Sequence, residues 1–234
     1  MLGEPFHGLR PDDLRCPSVP SRYRDASLTA LPGATPSQQA ALAAVADLVE
    51  RFAARTPGSV VLLGSPGVGK SHLSAAACHA VTAAPAIAWR MAANLANVNH
   101  ALGVTAEVER PTRSGPLMRE YATWVNVPSL MVDVKAEMSL DRSDQDRTRF
   151  ARSLRSVPSL VVLDDLGRER ISEWTGELLY VVVNDRYEAG LPTIATSNLT
   201  VEELVASGYW PAISRLAEGR LVEVKAPDHR LVKR

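Results

Sequence analysis

The sequence predicts an α/β fold, a parallel sheet with helices on both faces. Short and almost wholly apolar runs recur between glycine and proline breakers, as in Ser59-Val-Val-Leu-Leu63 and Leu160-Val-Val-Leu163. Such runs suit strands buried on both faces. Stretches with apolar residues at helical spacing alternate with them, the order expected of a parallel sheet. A glycine-rich turn, Gly64-Ser-Pro-Gly-Val-Gly-Lys-Ser71, then joins one apolar run to a helical stretch. That is the strand, loop and helix order of a phosphate-binding P-loop.

The elements follow in order. Residues 1–34 are rich in Pro, Arg and Asp without a sustained period and read as an irregular N-terminal arm, a candidate partner-binding segment. Residues 35–234 form the main domain. Thr35-Pro36-Ser37-Gln38 starts a helix: Thr35 caps it, Pro36 takes the first helical position and Gln38 completes a capping box. Leu42, Val45, Leu48, Val49 and Phe52 share one face of that helix, and Pro57-Gly58 ends it. A strand at 59–63 and a helix from Lys70 to about Thr82 flank the P-loop. Residues 86–101 suit a further helix, and 103–120 read as a loop. Thr123–Val127 is a strand. Pro128–Met138 and Asp146–Arg155 are helices, Leu160–Leu163 a strand and Glu173–Glu188 a helix. Pro192–Thr196 is a strand, Thr200 caps a helix from Val201, and Leu221–Lys225 is the last strand.

Composition excludes several classes. The 234 residues suffice for one domain with a sizeable core, and 46% hydrophobic with 22% charged residues is ordinary for a globular protein. Lys plus Arg number 26 and Asp plus Glu number 26, so no overall positive field exists and nucleic-acid contact needs a local patch. The two cysteines, Cys16 and Cys78, lie far apart and outside metal-ligand spacing, which predicts free thiols in a reducing compartment. The most Ala-rich stretch, Ser74 to Trp89, is broken by His79, Thr82 and Pro85, so no run reaches transmembrane length. Glu4, His7 and Arg10 leave no apolar signal core near the start. A cytoplasmic protein without a membrane partner is expected.

The P-loop carries the chemistry. Gly64, Ser65, Pro66, Gly67, Val68 and Gly69 form a turn whose amides, with the positive end of the following helix, face an anion. Lys70 reaches the β- and γ-phosphates of ATP, Ser71 coordinates Mg2+, and His72 follows directly. The apolar strand ending in Asp164-Asp165 supplies the second half of an ATPase site. Asp164 holds Mg2+ through water, and Asp165 orients the attacking water.

Longer motifs resemble the AAA+ ATPases of the DnaC/IstB family. Gly69-Lys-Ser-His-Leu73 is similar to G-K-[TN]-H-L of that group, and Leu163-Asp-Asp-Leu-Gly167 to its D-[DE]-[LI]-G. Ser21-Arg-Tyr-Arg-Asp-Ala-Ser27, Asn184-Asp-Arg-Tyr187 and Leu191–Leu199 are similar to the same proteins. The likeness spans about residues 20–230. It implies an AAA+ P-loop fold; few residues follow the last strand, so no helical lid domain is expected. It also implies that Asn198 acts as the polar sensor of the γ-phosphate, although Ser197-Asn198 taken alone reads rather as the start of a turn or a helix cap. Ile213-Ser-Arg215-Leu216 resembles the segment bearing the arginine finger that reaches a neighbouring subunit's nucleotide. Asp228-His-Arg230 resembles the terminal motif whose Arg is a second sensor. Four departures stand out: Asp165 where Glu is commoner, a long 84–120 segment, a short N-terminal arm and the absent lid.

Arg142, Arg147, Arg149, Arg152 and Arg155 cluster before the acidic strand, where the resembled proteins face single-stranded DNA. Arg149, Arg152 and Arg155 are the candidate DNA contacts; a solvated charged helix balanced by Asp144 and Asp146 reads the same residues equally well. The resemblance implies a homo-oligomer that uses ATP hydrolysis to load or remodel a replicative DNA helicase on single-stranded DNA. A transposition helper that delivers a transposase to DNA shares the same core. A small-molecule P-loop kinase would leave Asn198 and Arg215 unexplained, and a nucleotide-switched adaptor of negligible turnover remains compatible with Asp165.

Overall fold

The computed structural model describes residues 15–29, 34–83, 121–137, 146–157, 159–168 and 173–232. The helix expected at 86–101 and the loop at 103–120 lie outside these residues, as does the start of the arm. Among the described residues five strands form: β1 (Ser59–Leu63), β2 (Ala122–Asn126), β3 (Leu160–Leu166), β4 (Thr193–Ser197) and β5 (Arg220–Glu223). They make one sheet in the order β2-β3-β4-β1-β5, every pair parallel. The helices are α1 (Pro36–Ala53), α2 (residues 70–83), α3 (Val127–Glu137), α4 (Asp146–Ser153), α5 (Glu173–Glu188), α6 (Val201–Ala206), α7 (Trp210–Ala217) and α8 (His229–Val232).

Side-chain alternation along each strand divides the core into two layers. Val60 and Leu62 of β1, Leu160 and Val162 of β3 and Ile194 of β4 face α1 and α2. Val61, Leu63, Val161, Leu163 and Ala195 face the helices from α3 to α7. These strand residues are all 1% exposed or less. At about 1.5–3 kcal/mol for each fully buried Val, Leu or Ile side chain, both faces must be covered for the sheet to exist. The arm contributes to the first layer: Cys16, Val19 and Ala26 are buried there, although the only regular element among its described residues is a 3-10 turn at Ser21–Tyr23. His79 of α2 holds it at two points. Its Nδ1 accepts the Cys16 amide at 3.0 Å, and its Nε2 lies 3.0 Å from the Tyr23 carbonyl. Both cysteines are free and buried.

The capping box at Thr35 and Gln38 forms as the sequence predicts, and a second one forms at Thr200 and Glu203. Several ends shift by one or two residues, β5 among them at Arg220–Glu223 in place of Leu221–Lys225, and two shifts bear on the site. The fourth helix stops at Ser153, so Arg155 lies in the turn after it. The strand from Leu160 continues to Leu166, past both aspartates, through a register shift against β4 between Leu163 and Leu166. No described helix is long and apolar enough to cross a membrane.

Candidate functional site

Because the strands are parallel, all their C-terminal ends open on one edge of the sheet, where α/β folds of this kind bind ligands. A cavity of about 1000 Å3 lies there. Its walls come from the turn after β1, the end of β3, the residues after β4, α8, and Arg22 and Tyr23 of the arm. A smaller cavity of about 350 Å3 opens at the opposite, N-terminal ends of β1, β4 and β5 and includes Arg186 and Arg215. Of these two, only the larger is lined by residues of the glycine-rich loop.

The loop between β1 and α2 takes its expected form. Gly64 and Gly67 have φ of 144° and 80°, and side chains are excluded at both. A Cβ on Gly64 would come 2.3 Å from the Val224 carbonyl oxygen, and one on Gly67 1.7 Å from the Asp228 carboxylate. Lys70 starts α2 and folds back over the loop. Its ammonium donates to the carbonyls of Gly64 at 2.6 Å and Ser65 at 3.0 Å and to Asn198 Oδ1 at 2.8 Å. Burial pulls its pKa down to about 8, against the attraction of Asp165 and Asp164 and together with the repulsion of Arg230.

The end of β3 presents the two carboxylates differently. Asp164 is 2% exposed. Its Oδ1 accepts from Ser71 Oγ at 2.8 Å and from Thr196 Oγ1 at 2.8 Å. Burial raises its pKa and outweighs those two hydrogen bonds, which lower it. Asp165 has φ 65°, a left-handed conformation that Asp tolerates better than most side chains. Its amide donates to Thr196 Oγ1 at 3.0 Å, and its Oδ1 accepts from Asn198 Nδ2 at 2.6 Å. Arg168 approaches its other oxygen at 3.4 Å. Lys70, Asn198 and Asp165 are therefore one chain of hydrogen bonds, and Ser71, Asp164 and Thr196 another. Thr196 joins them through the Asp165 amide. These hydroxyl and carboxylate oxygens are the hard donors that suit Mg2+, and among the described residues no cluster of three or more His, Cys, Asp or Glu gathers for another metal.

Of the residues singled out in the sequence, Pro66, Gly67, Gly69, Lys70, Ser71, His72, Asp164, Asp165, Asn198 and Arg230 all line the cavity. Arg215 does not. It reaches from α7 to α5 of the same chain, where Nε donates to Asn184 Oδ1 at 2.6 Å and Nη2 to Tyr180 Oη at 2.7 Å. Its guanidinium also stacks 4.6 Å from the Tyr180 ring centroid. Arg152 is exposed, whereas Arg155 pairs with Asp185 of α5. The side chain of Arg149 lies outside the described residues. Three participants were missed in the sequence. Thr196 carries a signal, as a polar residue in an apolar strand beside Asp164. Gln38 reads only as a cap, and nothing in its neighbourhood announces a role at the P-loop. His229 carries none.

Sheet order, glycine-rich loop and acidic strand end together define a P-loop α/β fold. No family model and no curated protein matches the chain. Among solved structures it is similar to the DnaC helicase loader, with a TM-score of 0.60 at 24% identity over 88% of this chain and 100% of that one. It is similar to DnaI at a TM-score of 0.55 and 21% identity, over 90% and 94% of the two chains. It is also similar to AMPPCP-bound DnaA from Aquifex aeolicus at 0.58 and 17%, covering 89% of this chain and 51% of that one. At such identities the likeness is one of fold.

Proposed function

We propose that the protein is an ATP-hydrolysing DNA replication protein of the helicase-loader kind. The observation that carries the reading is the linkage of Lys70, Asn198 and Asp165 at the mouth of a P-loop. A phosphate-binding cation, a polar sensor and an acidic base are held together where β1, β3 and β4 end. Likeness in fold to DnaC and DnaI over most of both chains supports loading as the use of that site.

ATP enters with its phosphates against the loop amides and Lys70. Ser71 and Asp164 would hold Mg2+, which neutralises charge on the phosphate oxygens. Asp165 accepts a hydrogen bond from the attacking water and aims it in line, while Asn198 fixes the Asp165 carboxylate and polls the γ-phosphate. Arg215 faces away from this cavity and serves a neighbouring subunit, stabilising the charge that develops during transfer. Arg149, Arg152 and Arg155 are the proposed contacts to single-stranded DNA; Arg152 is exposed, and Arg155 reaches a phosphate only by leaving Asp185.

The test is affinity capture from native lysate with ATP present. The bait is Asp165→Asn, which binds ATP and stalls, and Lys70→Ala, which does not bind it, is the control. Enrichment of a replicative helicase by the stalled form alone supports the loader. Enrichment of a transposase moves the same ATP site to a transposition helper.

A further inference from the structure

The P-loop is gripped from outside by both ends of the domain. On one side Gln38, 1% exposed in the first turn of α1, is oriented without ambiguity. Its Oε1 accepts the Thr35 amide at 2.9 Å, so its Nε2 is the donor to the Val68 carbonyl at 2.9 Å. The same nitrogen lies 3.0 Å from His229 Nε2, a second polar contact of the Gln38 amide. On the other side the chain after β5 runs along the loop. The Val224 amide donates to Leu63 at 2.7 Å, and the His229 amide donates to the Gly67 carbonyl at 3.2 Å. The Asp228 carboxylate sits in the space that only glycine leaves at position 67. Ser37 and Thr35 both donate to the Lys225 carbonyl at 2.9 Å, fastening this segment to the start of α1.

We infer that Gln38 and the 224–230 segment form a clamp that holds the P-loop in its phosphate-receiving curve, with Gln38 and His229 as positioning residues. The carbonyls of Gly67 and Val68 are drawn outward by these donors. Peptide planarity then turns the opposite edges of the same units, the amides of Val68 and Gly69, toward the cavity. Without the clamp those amides must be ordered when the nucleotide arrives, and that ordering weakens binding. The same segment carries Arg230 to the cavity wall, so loop shape and Arg230 position are set together. The inference rests on the ATP-site reading above.

His229 is the first residue of α8, a position where proline is tolerated because its missing amide is not needed by the helix. His229→Pro therefore removes the donor to Gly67 while α8 can still form. His229→Ala keeps that donor and loses only the contact to Gln38. In the full chain, KM for ATP should rise roughly three- to tenfold in His229→Pro and in Gln38→Ala, the size of one net hydrogen bond, and less in His229→Ala. The kcat should hold, since Lys70, Asp164, Asp165 and Asn198 are untouched. Hydrogen exchange of the nucleotide-free protein should show faster exchange confined to the amides of residues 65–71. Unchanged exchange there in His229→Pro overturns the clamp, and so does an increase spread evenly over the sheet, which would mean a role in stability alone. Wild-type protein that binds no ATP refutes the ATPase reading instead, and the exchange result still judges the clamp.

Discussion

Lys70 shows at the scale of one residue how the site is poised. Its ammonium is held by two carbonyls and an amide oxygen, and burial brings its pKa to about 8. A folded pKa below the unfolded value of 10.5 means that the unfolded chain binds more protons between about pH 8 and 10.5. The folding penalty of this group is thus fully present below pH 8 and is relieved as pH rises through that window. Bound triphosphate favours the charged form and reverses the shift. ATP affinity should accordingly weaken above about pH 8, with proton uptake on binding, read by titration calorimetry in buffers of different ionisation heat. Affinity that is flat from pH 7 to 9 would contradict the assignment. Asp165 makes a second point. Its φ of 65° suits Asp and Asn better than longer side chains, which gives a backbone reason for Asp where Glu is commoner in the resembled proteins. Asp165→Asn should fold normally, bind ATP and lose roughly 10²-fold or more in kcat. Asp165→Glu should lose about 1 kcal/mol of stability in denaturant melts without gaining turnover.

Among the elements, β1 and the first half of β3 were the most legible, because burial on both faces leaves almost only Val and Leu in them. The irregular end of β3 was not, since a period of two says nothing about a left-handed residue or a register shift. Asp164 and Asp165 were thus found from type and neighbourhood, but their unequal burial came only from the fold. The entry to β3 and β4 hides another device. Arg186 of α5 is 0% exposed, and its hydrogen bonds among the described residues go to no carboxylate. It donates to the carbonyls of Leu154, Val157, Ser159 and Pro192 at 2.8–2.9 Å and to Thr193 Oγ1 at 2.9 Å. One planar guanidinium therefore fastens the end of α4, the start of β3 and the start of β4. In the sequence it stood out only as part of a family-like segment, because its partners are backbone oxygens with no side-chain signature. Arg186→Met should cost about 3–5 kcal/mol in urea unfolding, mostly from carbonyls left buried without donors. A loss under 1 kcal/mol would mean that these carbonyls find water.

For the whole molecule, the two halves of the proposed chemistry lie on different faces. The nucleotide cavity opens at the C-terminal ends of the strands, whereas Arg215 lines the cavity at their N-terminal ends. Single-sequence reasoning found both because each has a local motif, but their separation is a property of the fold, as is the clamp that joins positions as distant as Gln38 and His229. On the proposed reading, this separation would make hydrolysis a property of an assembly, with one subunit supplying the P-loop and its neighbour the arginine. Arg215→Ala should bind ATP as tightly as wild type and turn it over poorly. Lys70→Ala should not bind ATP but still present its arginine. An equimolar mixture of the two, each inactive alone, should recover a substantial part of the wild-type rate, because an Arg215→Ala site beside a Lys70→Ala subunit is complete. Recovery should rise with protein concentration, since only assembled subunits complement. A mixture as inactive as its components, under conditions where wild type hydrolyses ATP, would place Arg215 outside the reaction and leave its contacts with Asn184 and Tyr180 as its whole role.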